Sequence, residues 1–414
     1  MISIDRYKGT RDFYGQTAFI QKYIFTKWSE VAEKFGYEYY NGPLLESYDL
    51  YALKSGEELL QKQLYFFQDR GNRTVAIRPE MTPSLVRILS KNSTNIPKPI
   101  RWYSIPNLYR YEQPQKGRLR EHWQLNCDVF GLKSPYAETE ILSLLITLFD
   151  SFEIHQTEYT IYFNHRKLVE ELCCKIDLQK DAQYKLFKLL DKYDKIHAEI
   201  FHKELNEISE APLLKEFLTL NSFENLLIFL KKYSFEILEE IQSLFEFFEK
   251  ENILSYVNFK PSIIRGLDYY TGFVFEVFSH NFNRALCGGG FYGDLLEKFQ
   301  GESLPGIGFG LGDVTFTDLL ETSHKLPQNS TTVNGLFGCA KEYNSSWAKT
   351  LRTKFSIASI YEPIHPQKLF KEAMKRNIST IYFLEENNTI TETKIISKEK
   401  NIFLNEKDFL SFYE

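Results

Sequence analysis

Along this chain, runs of helical spacing give way to short runs of strict alternation, and the changes of period mark the elements. Residues 18–35 place Phe19, Tyr23, Ile24, Trp28, Val31 and Ala32 on one helical stripe, and Gly36 stops it. Thr10 stands where it can cap that helix. Residues 37–40 predict a strand broken at Gly42-Pro43, because proline lacks the amide a ladder needs. Residues 64–68 and 74–77 predict paired strands about Asp69-Arg70-Gly71-Asn72. Leu85, Val86 and Ile88 predict a helix, as do Ala137, Ile141, Leu142, Leu145, Leu148 and Phe149 over 135–152. A strand is expected over 159–164. From residue 166 to about 251 strand-like alternation disappears, and a stripe of Ile237, Leu238, Ile241, Leu244, Phe245 and Phe248 predicts a helical insertion with its own core.

The sharpest alternation lies in residues 122–130. Trp123, Leu125, Cys127 and Val129 alternate with Gln124, Asn126 and Asp128. An aromatic strand over 102–111 precedes it, and Lys116, Gly117, Arg118 and Arg120 form a charged loop between the two. Arg110 and Glu112 are expected on one face of the first strand, and Gln124 and Asp128 share a face of the second. A fixed guanidinium, a cationic loop and a carboxylate–amide pair suit a polyphosphate beside a small polar molecule. An exposed charged hairpin has the same local features.

Other stretches carry candidate chemistry. In Arg78-Pro79-Glu80-Met81-Thr82-Pro83, Glu80 and Thr82 face the same way if extended and suit an ammonium group; capping of the next helix is the alternative. In Arg265-Gly266-Leu267-Asp268-Tyr269-Tyr270-Thr271-Gly272, Arg265 suits a carboxylate or a developing phosphate charge, and the two tyrosines suit an imidazole. Two glycine-rich stretches, 287–295 and 306–314, allow close backbone approach to a ligand, the second as a strand leading into a helix. A polar linker over 324–332 precedes strands at 335–339, 357–361 and 381–384 that alternate with helices at 346–355 and 367–376, a small α/β domain.

Composition narrows the class. With 43% hydrophobic and 25% charged residues in 414, the chain is expected to fold as a globular protein of two or three domains. A net charge of −5 excludes a strongly basic chain but leaves room for a local nucleic-acid surface. Five cysteines with no CxxC pair argue against a disulfide framework or a zinc site. No apolar signal core or membrane-length run is evident, so a cytoplasmic protein without membrane contact is expected.

RYEQPQKGRLREHWQLNCDVFG resembles motif 2 of the histidyl-tRNA synthetases, and RGLDYYTG resembles their histidine signature. GTRDF, Pro43 in motif 1, RPE-x-T and GIGFGLGDV in motif 3 follow the family's order. The resemblance implies an α+β class II catalytic domain, an antiparallel sheet flanked by helices. It would occupy residues 1–165 and 256–323, with the helical insertion at 166–255 and an α/β anticodon-binding-like domain at 331–414. It implies ligation of L-histidine to tRNA(His) with ATP, magnesium arriving with ATP, no protein metal site, and a homodimer formed through motif 1. By resemblance, Glu80 and Thr82 hold the amino group, and Gln124 and Arg265 the carboxylate. Asp128, Tyr269 and Tyr270 read the imidazole. Arg110 grips the α-phosphate, Glu112 lies near the adenine and Arg118 reaches the γ-phosphate.

Three positions depart from the family. Asp128 replaces the usual glutamate, Phe291 stands where many members have arginine, and Asp313-Val314-Thr315 lacks the motif 3 arginine, a form some members share. The runner-up reading is a catalytically silent paralogue, a histidine-sensing regulatory subunit of ATP phosphoribosyltransferase.

Overall fold

The computed structural model describes residues 4–52, 63–115, 117–193, 196–264, 270–281, 284–293, 295–299, 301–327 and 333–413. Two compact units result, one of Met1–Arg11 with Ile24–Leu326, the other of Asp12–Tyr23 with Pro327–Glu414.

Among the described residues, the first unit is built on a nine-stranded sheet. Its order is Glu38–Tyr39, Ile100–Ser104, Glu121–Phe130, Gly306–Gly312, Ala285–Tyr292, Phe273–Ser279, Tyr159–His165 and Val257–Phe259, with Asn107–Tyr109 also paired to Glu121–Phe130. Pairing is antiparallel except at the two ends, where Glu38–Tyr39 and Val257–Phe259 join in parallel, so the expected antiparallel sheet is in fact mixed. The alternation in Glu121–Phe130 becomes a two-faced strand. Leu125, Cys127 and Val129 are buried opposite Leu311, Phe309 and Ile307 on one face. Directly paired residues lie on the same side of a sheet, so this apolar set forms a single layer. The helices Tyr136–Ser151 and Asp313–Thr322 pack behind the sheet with buried Phe149 and Phe316, whose rings stack 5.9 Å apart. Trp28, from the helix Gly15–Lys34, meets Phe316 at 5.5 Å.

Two local expectations are corrected. The aromatic strand expected over 102–111 is interrupted at Ile105-Pro106, giving Ile100–Ser104 and Asn107–Tyr109; proline cannot donate to the ladder. Arg110 and Glu112 therefore lie beyond the strand, in the hairpin loop. Thr10 does not cap the first helix, because its hydroxyl donates to Tyr7 O at 2.7 Å.

Among the described residues, 166–250 hold six α-helices; of the predicted stripe, Ile237, Ile241, Leu244 and Phe248 are buried, while Leu238 and Phe245 at its edge are half-buried. A separate three-stranded sheet joins Leu45–Ser47, Thr74–Ile77 and Tyr65–Gln68. Its turn is fixed by Asp69, whose Oδ1 accepts from the amides of Gly71 and Arg73 at 2.8 and 3.0 Å.

In the second unit the five-stranded sheet runs Ile357–Ser359, Gly335–Cys339, Thr380–Leu384, Ile390–Lys394, Lys400–Phe403. The first three strands are parallel, and Gly335–Cys339 is buried throughout, as a strand covered on both faces must be. Phe337 and Cys339 join Trp347 and Phe409 on one side, while Leu336 joins Leu369 and Phe383 on the other. The last two strands and the helix Glu406–Phe412 have no counterpart in the sequence reading. Residues 328–332 of the expected linker lie outside the described residues.

Within the first unit, one ion pair ties Arg11 to the nine-stranded sheet. Arg11 Nη2 meets Asp313 Oδ2 at 2.7 Å, and Asp313 Oδ1 accepts from the Trp123 amide at 2.9 Å. Asp313 is only 3% exposed, so removing its cation strands a buried carboxylate. Arg11→Ala is expected to lower unfolding free energy by roughly 1.5–3 kcal/mol, the range for a charge-assisted hydrogen bond. Arg73→Ala, which breaks the exposed Arg73–Asp69 pair, should change it by under about 1 kcal/mol. Urea denaturation of both variants reads the difference; equal losses would show that the Arg11–Asp313 pair carries no special weight.

Candidate active site

The other face of the central sheet is hollowed by glycine. Gly306, Gly308, Gly310 and Gly312 oppose Phe130, Asp128, Asn126 and Gln124 in register. A β-carbon at Gly308 would overlap Asp128 Oδ1, and one at Gly310 would stand 2.5 Å from Gln124 Nε2. Glycine at alternate positions therefore makes room for Gln124 and Asp128 to lie across the sheet. The next strand continues the hollow, since a β-carbon at Gly290 would stand 2.7 Å from the Tyr270 ring.

This arrangement brings several predicted site residues to one face. Asp128 is buried, and the Tyr292 hydroxyl donates to its Oδ1. Burial pushes the Asp128 carboxyl up to about 7, with the Tyr292 hydrogen bond opposing. Tyr270 is buried with its ring 6.3 Å from that of Tyr292, and both share an apolar cluster with Tyr40, Met81 and Phe130. Glu80 is buried and Thr82 half-buried. Met81 has helical backbone angles and Thr82 begins the helix Thr82–Asn92, so the pair is not extended; no side chain of the N-cap residue Met81 caps this helix. Arg110 is tied to this segment, its Nε donating to Pro79 O at 3.0 Å. Arg265 and Tyr269 lie outside the described residues.

Beside this cluster opens a cleft of about 570 Å³. Arg110, Glu112, Arg118 and Gln124 line it, whereas Glu80, Thr82, Asp128 and Tyr270 are not part of its wall. Arg118 is exposed, with Nη1 3.9 Å from Glu112 Oε2. Arg120, expected to flank Arg118, is turned elsewhere: it stacks on Tyr111 at 4.4 Å and donates to Tyr7 OH at 2.6 Å. Lys116 lies outside the described residues. His122 also lines the cleft; burial first, then the charges of Arg110 and Arg11, push its imidazole down to about 3, so it stays neutral. Phe291 packs against Gly272 and Gly293, each of which would place a β-carbon within 3.2 Å of it.

Sequence reasoning missed Tyr292, His122, Glu276 and Arg284. The last three line the cleft and the first bonds Asp128. Tyr292 had one available signal, its place in the glycine-rich stretch 287–295.

The glycine-hollowed, largely antiparallel sheet and the arginine-bearing hairpin loop fit the class II aminoacyl-tRNA synthetase architecture that the sequence resemblance implies. The family model described as Histidyl-tRNA synthetase matches residues 9–313. The chain is 39% identical over 421 aligned positions to a histidine–tRNA ligase of Leptospira biflexa, covering 97% of this chain and 95% of that one. It is 34% identical to the chloroplastic/mitochondrial histidine–tRNA ligase of Arabidopsis thaliana, covering 91% and 79%. A histidyl-tRNA synthetase crystal structure from Nostoc shares the fold with a TM-score of 0.79 at 18% identity, over 100% of both chains. The chain belongs to the histidyl-tRNA synthetase family. These relatives do not favour the regulatory-subunit reading. Among the described residues, no helix is long and apolar enough to cross a membrane.

Asp128 gives the site a pH signature. Its folded-state pKa lies above the unfolded value of 3.8, so the folded chain holds the proton more tightly. The resulting stabilisation is complete below about pH 4 and is lost as pH rises through about 7. Asp128→Asn has no such proton. Urea midpoints of wild type should therefore fall relative to those of Asp128→Asn between about pH 4 and pH 7; parallel curves would exclude a raised Asp128.

Proposed function

We infer that this chain attaches L-histidine to tRNA(His) at the expense of ATP. The observation that carries the reading is the cleft lined by Arg110, Glu112, Arg118 and Gln124 beside the buried Asp128–Tyr292 pair, in a chain of this family. A histidine carboxylate oxygen attacks the α-phosphorus of ATP, and the bond to pyrophosphate breaks. The terminal ribose hydroxyl of the tRNA then attacks the carbonyl of the adenylate, and AMP leaves. Both steps concentrate negative charge, so preoriented cations supply most of the stabilisation.

In the assignment we propose, Arg110 holds the α-phosphate and Glu112 the adenine side of ATP, with Arg118 at the cleft rim. Glu80 and Thr82 take the amino group, and Gln124 and Arg265 orient the carboxylate. Asp128, Tyr269 and Tyr270 read the imidazole, and Tyr292 joins them through its bond to Asp128. Magnesium enters with ATP and is held largely by phosphate oxygens; the carboxylates of Glu112 and Glu276, which line the cleft, suit it chemically. Compartment remains an expectation of the sequence, cytoplasmic. The helices over 166–250 are assigned to the acceptor stem and the unit after residue 331 to the anticodon. Footprinting of tRNA(His) on the protein tests both, and an unprotected anticodon loop would remove the second. A homodimer through motif 1 is supported by exposed apolar side chains near Pro43, with Tyr39 60%, Leu44 43% and Leu45 47% exposed. A monomer by sedimentation equilibrium at micromolar concentration would remove it.

Histidine-dependent exchange of pyrophosphate into ATP is the primary test of the function. Its absence in the wild-type protein would overturn the reading. Arg265→Lys keeps a charge but loses the planar fork, and should slow exchange by on the order of 3 kcal/mol, roughly a hundredfold, with unchanged melting. A rate within about twofold of wild type would take Arg265 out of the reacting set. Asp128→Asn should weaken histidine binding by about tenfold or more while ATP binding holds, since a buried donor loses its charged acceptor. Equal weakening of both ligands would remove Asp128 from imidazole recognition.

A further inference from the structure

We propose that Arg284 supplies the cation that grips the terminal phosphates of ATP, at a site where the motif 3 position carries Asp313. The inference rests on the activation reading above and names a residue that reading does not.

Three arginines line the cleft among the described residues: Arg110, Arg118 and Arg284. Arg110 spends its Nε on Pro79 O. Arg118 is 58% exposed and leans toward Glu112, so water screens it. Arg284 differs from both. Its Nη1 is buried and has no hydrogen-bond partner among the described residues. A guanidinium is charged at every physiological pH, and a buried donor left unpaired costs its desolvation. An arginine in that position is explained by a ligand that brings oxygen atoms and negative charge.

The surroundings place it. Arg284 immediately precedes the strand Ala285–Tyr292, whose Ala285, Leu286, Cys287 and Gly288 line the same cleft. Its guanidinium lies under the hairpin loop against Gly117, where a β-carbon would stand 2.5 Å from Nη1. Gly117 also has φ +76°, a conformation that favours glycine. The loop thus leaves room for this guanidinium.

The competing groups are committed. Asp313 is paired with Arg11, and the hydroxyl of Thr315 donates to the carbonyls of Leu286 and Gly312 at 3.3 and 3.4 Å. Arg120 is bound to Tyr7. Among the described residues, Arg284 is the arginine of the cleft whose Nη1 is buried with no partner.

Calorimetric titration of the full chain with MgATP, and separately with AMP, tests the assignment, because AMP lacks the phosphates in question. Arg284→Ala should raise the ATP dissociation constant at least tenfold and leave that of AMP within about twofold. Arg284→Lys should recover part of the loss, and Arg118→Ala should cost less than Arg284→Ala. Unchanged ATP affinity, or equal losses for ATP and AMP, would overturn the proposal. Should Arg284→Ala not fold, Arg284→Gln, which keeps the bulk and removes the charge, carries the same expectations. Wild-type protein that catalyses histidine-dependent exchange while Arg284→Ala and Arg284→Gln bind ATP normally refutes this inference alone. Wild-type protein without exchange refutes the activation reading.

Discussion

The site depends on one steric constraint, the absence of side chains at every second position of Gly306–Gly312. In a sheet, paired residues on neighbouring strands project to the same side. Any β-carbon at Gly308 would occupy the volume of the Asp128 carboxylate, and at Gly310 that of the Gln124 amide. The intervening Ile307, Phe309 and Leu311 point the other way and are buried against the helices. One seven-residue strand thus builds the apolar core with its odd positions and empties a binding face with its even ones. Glycine in a strand sacrifices roughly 0.5–1 kcal/mol per residue. The buried apolar side chains between the glycines offset that loss at about 25 cal/mol per Å² of surface removed from water.

The same economy of space governs charge. Asp313 begins the helix that follows the glycine strand, and its carboxylate holds Arg11 and the Trp123 amide. A carboxylate in the first turn also suits the helix dipole. The opening segment thereby becomes part of the site's scaffold. Gly9, at φ +89°, accepts through its carbonyl from the amides of Arg120 and Glu121, so the chain start clamps the base of the hairpin. Among the described residues, the arginines that line the cleft are Arg110 and Arg118 of the hairpin loop and Arg284, just before the strand Ala285–Tyr292.

What the sequence made legible follows the range of the interactions involved. Alternation in 122–130 placed Gln124 and Asp128 on one face, and the strand Glu121–Phe130 has that geometry. Local periodicity carries such information because side-chain direction is set residue by residue. The glycines of 306–312 were visible, but what they make room for was not, since register between strands over 170 residues apart is a tertiary fact. Arg110 and Glu112 were expected on a strand because the aromatic run looked continuous; Pro106 ended it earlier. Thr10 was expected to cap a helix that begins at Gly15, five residues on. Arg284 carries no local signal. That its Nη1 is buried with no partner among the described residues appears only once the hairpin loop lies above it.

Asp128 shows how such a site can select its ligand. A buried carboxylate with one hydroxyl partner has acceptor capacity left over, and burial already holds its proton up to about 7. On the proposed assignment, an imidazole N–H supplies a missing donor and favours the ionised form. A side chain of similar size without that donor would leave the carboxylate unpaired. Sites that hydrogen-bond a substrate group reject analogues lacking it far more strongly than apolar pockets reject a missing methylene. The aspartate is one methylene shorter than the glutamate usual in this family, and Tyr292 reaches it from the second strand over, across Gly306–Gly312. The tyrosine thus fixes the carboxylate's orientation. Discrimination would then rest on a pair of side chains from two strands, held at bonding distance by Gly308 between them.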